Sequence, residues 1–345
     1  MGADSIVSWP ANVLVACNAG DGVGLGHLSR SLVAAEALRS RLGAGVRLLV
    51  QGNQINRSDL DTFPHRFVTK DQDLAKVVLV EYARQCVDIV VFDLHRDSLP
   101  VPASMQAMFI TLRSAGCRIV AIDGLLQYRA MLDLIFIPSF QHADPADARN
   151  LAPIVFGWDC FLLNLKETPR GWQPGPRVLA LTGGSDVTGL GQTWPTLLDA
   201  TLPYQTELHW VTGPFAHAPA LPQAPRIQFH SHLSPSGLGP LMQASNYAIT
   251  VFGVSFFELL YLGIPTVVFS PYGGKDDQEL VAIAKTGAAL VARDEREATE
   301  RLFALMHDDG LAAQLSLNAR TRLNTPGGRR FCAEIALLMP PVPCL

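Results

Sequence analysis

The residues best placed to do chemistry form one stretch, Asn18-Ala-Gly-Asp-Gly-Val-Gly24-Leu-Gly26-His27-Leu-Ser-Arg30, directly after an apolar run at residues 12–17. Four glycines let the backbone pass close to a ligand. A helix opening near His27 would aim free N–H groups at an anion. An imidazole that points at a substrate serves as a general base, since histidine exchanges its proton near neutral pH. One that points elsewhere is a capping or structural residue, and position alone leaves both readings open. A dinucleotide fingerprint needs G-x-G-x-x-G and an acidic residue ending the second strand. Gly22, Gly24 and Gly26 break that spacing and the second strand ends in Gln51, which disfavours a nicotinamide or flavin oxidoreductase.

Three later loops also follow apolar runs. Thr182-Gly183-Gly184-Ser185-Asp186 reads as a second anion-binding turn, or as an ordinary strand-to-helix turn with Ser185 or Asp186 near a cap. In Gly253-Val254-Ser255-Phe-Phe-Glu258, Ser255 and Glu258 fit a capping box. The competing reading is a carboxylate at Glu258 that accepts one hydrogen bond from each of two ribose hydroxyls. Tyr272-Gly-Gly-Lys275-Asp276-Asp277-Gln278 either lines the same site or is a solvated polar run. Asp93 and His95 end another strand and line an acceptor pocket, or lie in a solvated loop.

The elements that must position these loops alternate regularly. Strand-like runs at 12–17, 46–50, 88–93 and 118–123 are separated by helical spacing at 27–42 and 102–115. The pattern predicts parallel βαβ units. The segment 166–176 carries three prolines and two glycines and reads as a linker. The rhythm then restarts, with strands at 177–181, 207–211, 247–251 and 266–269 and helices at 190–201, 256–262 and 278–286. The expected architecture is α/β: an N-terminal Rossmann-like domain over 1–165, a linker over 166–176, and a C-terminal domain over 177–345. Its last helix is a candidate to pack back on the first domain. Doubly wound sheets bind ligands at the carboxyl ends of their strands, so two such domains would face a shared cleft.

Bulk properties agree with this frame. Of 345 residues, 48% are hydrophobic and 17% charged, enough to bury two cores. The net charge of −4 argues against a nucleic-acid partner. The six cysteines lack metal-ligand spacing and read as buried hydrophobes in a reducing, cytoplasmic setting. No metal or cofactor is expected. The start lacks a basic, apolar secretory pattern, and Ile6 breaks a myristoylation signal. The apolar stretch 247–270 contains Glu258, Gly263 and Pro265 and reads as strand, helix and strand rather than as a membrane span.

Taken together, the four loops resemble those of the GT-B nucleotide-sugar enzymes over residues 12–325. The nearest branches are the N-acetylglucosaminyltransferase of peptidoglycan synthesis and the UDP-sugar hydrolase of pseudaminic acid synthesis. Gly24, Gly26, His27 and Arg30 match the hydrolase's G-x-G-H-x-x-R, which implies His27 as catalytic base and the rest of the loop as substrate contacts. The stretch 159–164 is similar to the hydrolase's domain boundary. Gly183, Gly184 and Ser185 resemble the diphosphate-facing turn. Gly253, Val254, Ser255 and Glu258 resemble the nucleotide-binding stretch, with the glutamate on ribose. Lys275, Asp277 and Gln278 resemble the donor-sugar loop. The chain departs from the hydrolase at Cys17-Asn18-Ala19 and at Asp277. The resemblance implies an inverting, metal-independent glycosyltransferase with a nucleotide-sugar donor, UDP-linked by analogy, acting in cell-surface glycan or glycoconjugate synthesis on a sugar, lipid-linked or protein acceptor. The alternative is a hydrolase that uses water. Relatives with lipid acceptors dock on membranes, which carries an expectation of peripheral membrane contact, although no basic amphipathic helix stands out.

Overall fold

The computed structural model describes residues 11–20, 22–142, 151–233 and 238–339. The chain divides into two compact units, Met1–Asn164 with Pro326–Leu345, and Leu165–Thr325.

The first unit contains β1 (Asn12–Ala19), α1 (Gly26–Leu42), β2 (Gly45–Gly52), β3 (His65–Val68), α2 (Leu74–Arg84), β4 (Ile89–Asp93), α3 (Pro102–Ser114), β5 (Arg118–Ile122), β6 (Leu134–Ile137) and β7 (Ile154–Phe156). These strands form one parallel sheet in the order β3-β2-β1-β4-β5-β6-β7. Strand order reverses between β1 and β4, where doubly wound sheets hold their ligands. The central strands are apolar throughout because both faces are covered. Val13, Val15 and Cys17 of β1 join one core layer, with Leu28, Leu32, Ala35 and Leu38 of α1. Leu14 and Ala16 join the opposite layer, with Met105, Met108, Phe109 and Leu112 of α3.

The second unit repeats the plan. It contains β8 (Arg177–Leu181), α4 (Trp194–Thr201), β9 (Glu207–Thr212), β10 (Gln228–Leu233), α5 (Leu238–Ala244), β11 (Tyr247–Val251), α6 (Val254–Leu262), β12 (Thr266–Phe269), α7 (Asp277–Thr286), β13 (Leu290–Val291), α8 (Glu295–Leu305) and α9 (Asp309–Arg322). Its parallel sheet runs β10-β9-β8-β11-β12-β13, with the reversal between β8 and β11. The helix expected over 190–201 is split: a single 3-10 turn at Leu190–Gln192 precedes α4, which opens on Trp194-Pro195. At the sheet's β10 edge three imidazoles lie side by side. His209 stacks on His230 with ring centres 4.7 Å apart, and its Nδ1 lies 3.0 Å from His232 Nε2.

Residues 166–176 have no regular structure and are tied to the second unit. Trp172 Nε1 donates to Asn246 O at 2.8 Å, and Asn246 Nδ2 donates to Gln173 O at 2.9 Å. The chain then returns to the first unit through α10 (Gly328–Leu338). Phe331 meets Phe136 of β6 edge-on at 5.1 Å, and Phe331, Cys332 and Ile335 complete the core layer that α1 covers.

One expectation about the cysteines fails. Cys17, Cys117, Cys160 and Cys332 are buried, but Cys86 is exposed because it sits just past α2, in the connection to β4. Cys344 lies outside the described residues. Burial pushes the Cys17 thiol up to about 12, with the Asp93 charge adding to the effect. Among the described residues no helix is long and apolar enough to cross a membrane.

Candidate active site

The glycine loop leaves the carboxyl end of β1 as a tight turn. Gly20 and Gly24 exchange backbone hydrogen bonds at 2.8 and 3.1 Å. Both have positive φ, 136° at Gly20 and 75° at Gly24, which side-chain-bearing residues rarely adopt. A Cβ on Gly20 would lie 2.2 Å from Asn53 Oδ1, so the turn also packs against the loop after β2. The turn delivers the chain into α1 at Gly26, and His27 is its second residue. Leu25, at the cap, offers no side-chain hydrogen bond, and the first turn carries no acidic residue. These are the conditions under which a helix N-terminus favours an anion.

His27 does not cap anything. Its Nδ1 lies 2.6 Å from Oδ1 of Asp93, the last residue of the neighbouring strand β4. Asp93 has no solvent exposure and His27 retains 16%. Asp93 therefore stands beneath the histidine and does not line a pocket. Arg30, one helical turn further on, grips the same carboxylate with two hydrogen bonds, Nε to Oδ2 at 2.6 Å and Nη2 to Oδ1 at 2.7 Å. Its remaining arm, Nη1, reaches Oδ2 of Asp123, just past β5, at 2.8 Å. Arg30 is buried and all its donor-bearing nitrogens face carboxylates. Within the first unit its partners are these two carboxylates and the His27 ring.

The charges explain one another. Burial alone would push the Asp93 carboxyl up, but the Arg30 and His27 charges and hydrogen bonds outweigh it and hold Asp93 below the usual carboxylate range. Burial works against the Arg30 charge, while Asp93 and Asp123 more than restore it. An ionised Asp93 accepts only, so at 2.6 Å Nδ1 carries the proton and donates, and in the neutral imidazole the lone pair then lies on Nε2. His95 meets the imidazole edge-on with ring centres 5.6 Å apart. Its backbone N–H donates to Asn18 Oδ1 at 2.7 Å, which ties the loop after β4 to the end of β1.

In the second unit the three remaining loops follow the adjacent strands β8, β11 and β12. Gly183 takes φ 85° and Asp186 φ 42°, and the Asp186 carboxylate accepts from Leu190 N at 2.9 Å and Gly191 N at 2.8 Å. Asp186 is thus the local cap, whereas Ser185 Oγ is buried with no partner among the described residues. A Cβ on Gly213 would lie 2.4 Å from the carbonyl oxygens of Gly183 and Gly184, so the turns after β8 and β9 are in direct contact.

The capping-box reading of Ser255 and Glu258 is corrected. The helix begins at Val254, its cap is Gly253, and no side chain caps it. Ser255 falls inside the first turn, where its hydroxyl cannot play the cap's part. Glu258 is buried, one turn in. The α6 N-terminus is therefore uncapped and free of acidic residues. In contrast, α7 carries Asp277 and Glu279 in its first turn and repels an anion there. Lys275 precedes that helix, with its Nζ 5.9 Å from the centre of the Tyr272 ring. Gln278 lies within α7. Among the described residues no group of three or more His, Cys, Asp or Glu side chains could hold a metal ion.

Sequence reading alone did not pick out Asp123 or Gly213. Two signals were available. Asp123 ends an apolar strand, and Gly213 follows one.

No family model and no curated protein matches this chain. Solved structures do. MurG from Acinetobacter baumannii is similar at 15% identity over 96% of this chain and 100% of that one, with a TM-score of 0.64. Phytolacca americana UGT2, complexed with UDP-2-fluoro-glucose and pterostilbene, is similar at 13% identity over 96% and 100%, with a TM-score of 0.65. A putative UDP-N-acetylglucosamine 2-epimerase from Listeria monocytogenes is similar at 13% identity over 95% and 96%, with a TM-score of 0.61. Two doubly wound parallel sheets, each with its loops gathered at the strand reversal, together with likenesses that span the whole chain, give this protein the GT-B fold.

Proposed function

We propose that the protein is an inverting glycosyltransferase that uses a nucleotide-activated sugar, with His27 as the base that takes the acceptor's proton. The observation that carries this reading is the His27–Asp93 pair. A fully buried carboxylate holds Nδ1–H and leaves Nε2 as the acceptor of a proton, beside the strand reversal of the first sheet.

The second unit supplies the donor side. The uncapped N-terminus of α6, with Gly253, Val254 and Ser255, receives the diphosphate, and the Gly183-Gly184-Ser185 turn lies beside it on β8. Departure of the nucleoside diphosphate leaves negative charge, which oriented N–H groups stabilise without rearranging. The buried Ser185 hydroxyl, which has no partner among the described residues, is a ready donor to a phosphate oxygen. Glu258 accepts from the ribose hydroxyls, and Lys275, Asp277 and Gln278 face the sugar. Gly24 and Gly26 keep the first unit's loop slim enough for the acceptor to approach His27. The UDP-fluoroglucose and pterostilbene bound by the Phytolacca structure make UDP-sugars the first donors to try, with hydroxyl-bearing acceptors. A cytoplasmic place and a role in glycan synthesis belong to the same reading.

The test is direct. Purified protein is incubated with UDP-, CMP- and dTDP-sugars, with and without a panel of hydroxyl acceptors. Nucleotide release that requires an acceptor, and that His27→Ala lowers by about 10²–10⁴-fold, is the expected result. Full activity in His27→Ala removes the assigned base. Sugar release at the same rate without any acceptor refutes the transferase.

A further inference from the structure

Arg30 poses a problem that the His27–Asp93 pair does not solve. A cation whose Nη2 lies 3.1 Å from the base's own Nδ1 opposes formation of an imidazolium, which is the form the base must take once it has accepted a proton. Resting on the reading of His27 as the base, we propose that Asp123 is a positioning residue that offsets the Arg30 charge, so that the guanidinium can hold Asp93 while His27 still takes up a proton.

The titratable groups around His27 come from several elements. Asp93 arrives from β4, Arg30 from α1, and His95 from the loop after β4. Cys17, on β1, senses both Asp93 and Arg30, but burial keeps its thiol protonated. Asp123 follows β5 and reaches the group through Arg30. Arg57 is engaged by Asp59, with Nη2 to Oδ2 at 2.5 Å. With His27 neutral, Arg30, Asp93 and Asp123 leave the network one negative charge. With His27 protonated the network is neutral. Without Asp123, proton uptake would instead turn a neutral group into a net cation in a buried setting, where such charge is costly.

Asp123 has φ 55°, a left-handed conformation that aspartate and asparagine adopt more readily than other side-chain-bearing residues. Arg30 donates Nε and Nη2 to the Asp93 carboxylate, which leaves its Nη1 arm, and Asp123 Oδ2 accepts from that arm at 2.8 Å. The other face of the Asp123 side chain is open, at 44% exposure, so the residue balances charge from the rim and does not add to the burial of the network.

The decisive variant is Asp123→Asn. Asparagine tolerates the left-handed backbone and its carbonyl oxygen still accepts from Arg30, so the fold and the hydrogen bond remain while the charge is lost. His27 is titrated by NMR in protein labelled at histidine, its signal assigned by its absence from His27→Gln. The expected result is a drop of about tenfold in the proton affinity of His27, with the acid limb of the pH–rate profile moving to lower pH by the same factor. Asp123→Glu should restore wild-type titration. An unchanged or increased proton affinity in a folded Asp123→Asn protein overturns the proposal, since a merely structural residue would leave the titration where it is. The NMR measurement needs no turnover, so failure of the transferase reading shows separately, as transfer that survives His27→Ala.

Discussion

Replacing Asp93 with asparagine isolates what the buried carboxylate does for His27. The side chain keeps its size but changes from about four acceptor sites to about two acceptor sites and two donors. Three N–H groups now point at it within 2.7 Å: His27 Nδ1–H and two from Arg30. His27 Nδ1–H and Arg30 Nη2 share Oδ1, and Arg30 Nε takes Oδ2. An amide oxygen in the Oδ1 place keeps the first two bonds and sets the NH2 against Nε alone, whereas the reverse orientation loses both, so the first arrangement and the His27 tautomer are retained. What the substitution removes is the carboxylate's charge, which faces the imidazolium that forms when His27 takes a proton, beside the Arg30 cation. A base whose protonated form has lost that counter-charge forfeits the general-base contribution of about 10²–10⁴-fold, equivalent to about 2.7–5.4 kcal/mol of transition-state stabilisation. The expected result is a fall of that size in kcat for Asp93→Asn, with the donor KM unchanged because the loops proposed to bind the donor belong to the other unit. Steady-state kinetics with saturating acceptor measures both. Thermal unfolding controls for stability, since losing one partner of a buried pair also weakens the first unit. A correctly folded Asp93→Asn enzyme within about threefold of wild type would refute the counter-charge argument.

Gly253→Ala tests the donor site without disturbing the fold. Gly253 has extended backbone at φ 164° and no atom within 4 Å of the place a Cβ would occupy, so thermal stability should hold while the methyl group raises the donor KM by about tenfold or more by standing where the diphosphate would lie. A KM equal to wild type would place the diphosphate elsewhere. His209 tests the imidazole edge. Burial first, and then the neighbouring His230 and His232, push it down from 6.5 to about 4. The folded state therefore resists protonation that the unfolded chain accepts. Stability is complete above about pH 6.5 and declines as the pH falls toward 4. His209→Gln should flatten the decline in melting temperature across that window, and an unchanged slope would exclude His209 as its source.

The glycine loop, the helix after it and most central strands were legible in the amino-acid pattern, because a strand covered on both faces must be apolar throughout and α1 repeats its buried positions every three to four residues. The partners of His27 were not legible in the same way. Asp93 and Asp123 lie 63 and 93 positions from Arg30, and only the strand order β1-β4-β5 brings them together. Alternation of strand and helix does not encode that order. The edge strand β10 was also missed, since Gln228, His230 and Ser231 are exposed and break the apolar signal. Ser255 and Glu258 misled for a different reason. The S-x-x-E spacing is met, but Gly253 starts the helix two residues earlier and draws Ser255 into its first turn.

The return of α10 to the first unit has a consequence for biosynthesis. Phe331 and Ile335 fill the layer beneath α1, yet they are translated after the whole of the second unit. A nascent chain thus presents Phe136 and its neighbours without their final cover while the second unit, which is continuous in sequence, emerges and folds. Completion of the unit that holds His27 waits for the last helix to leave the ribosome.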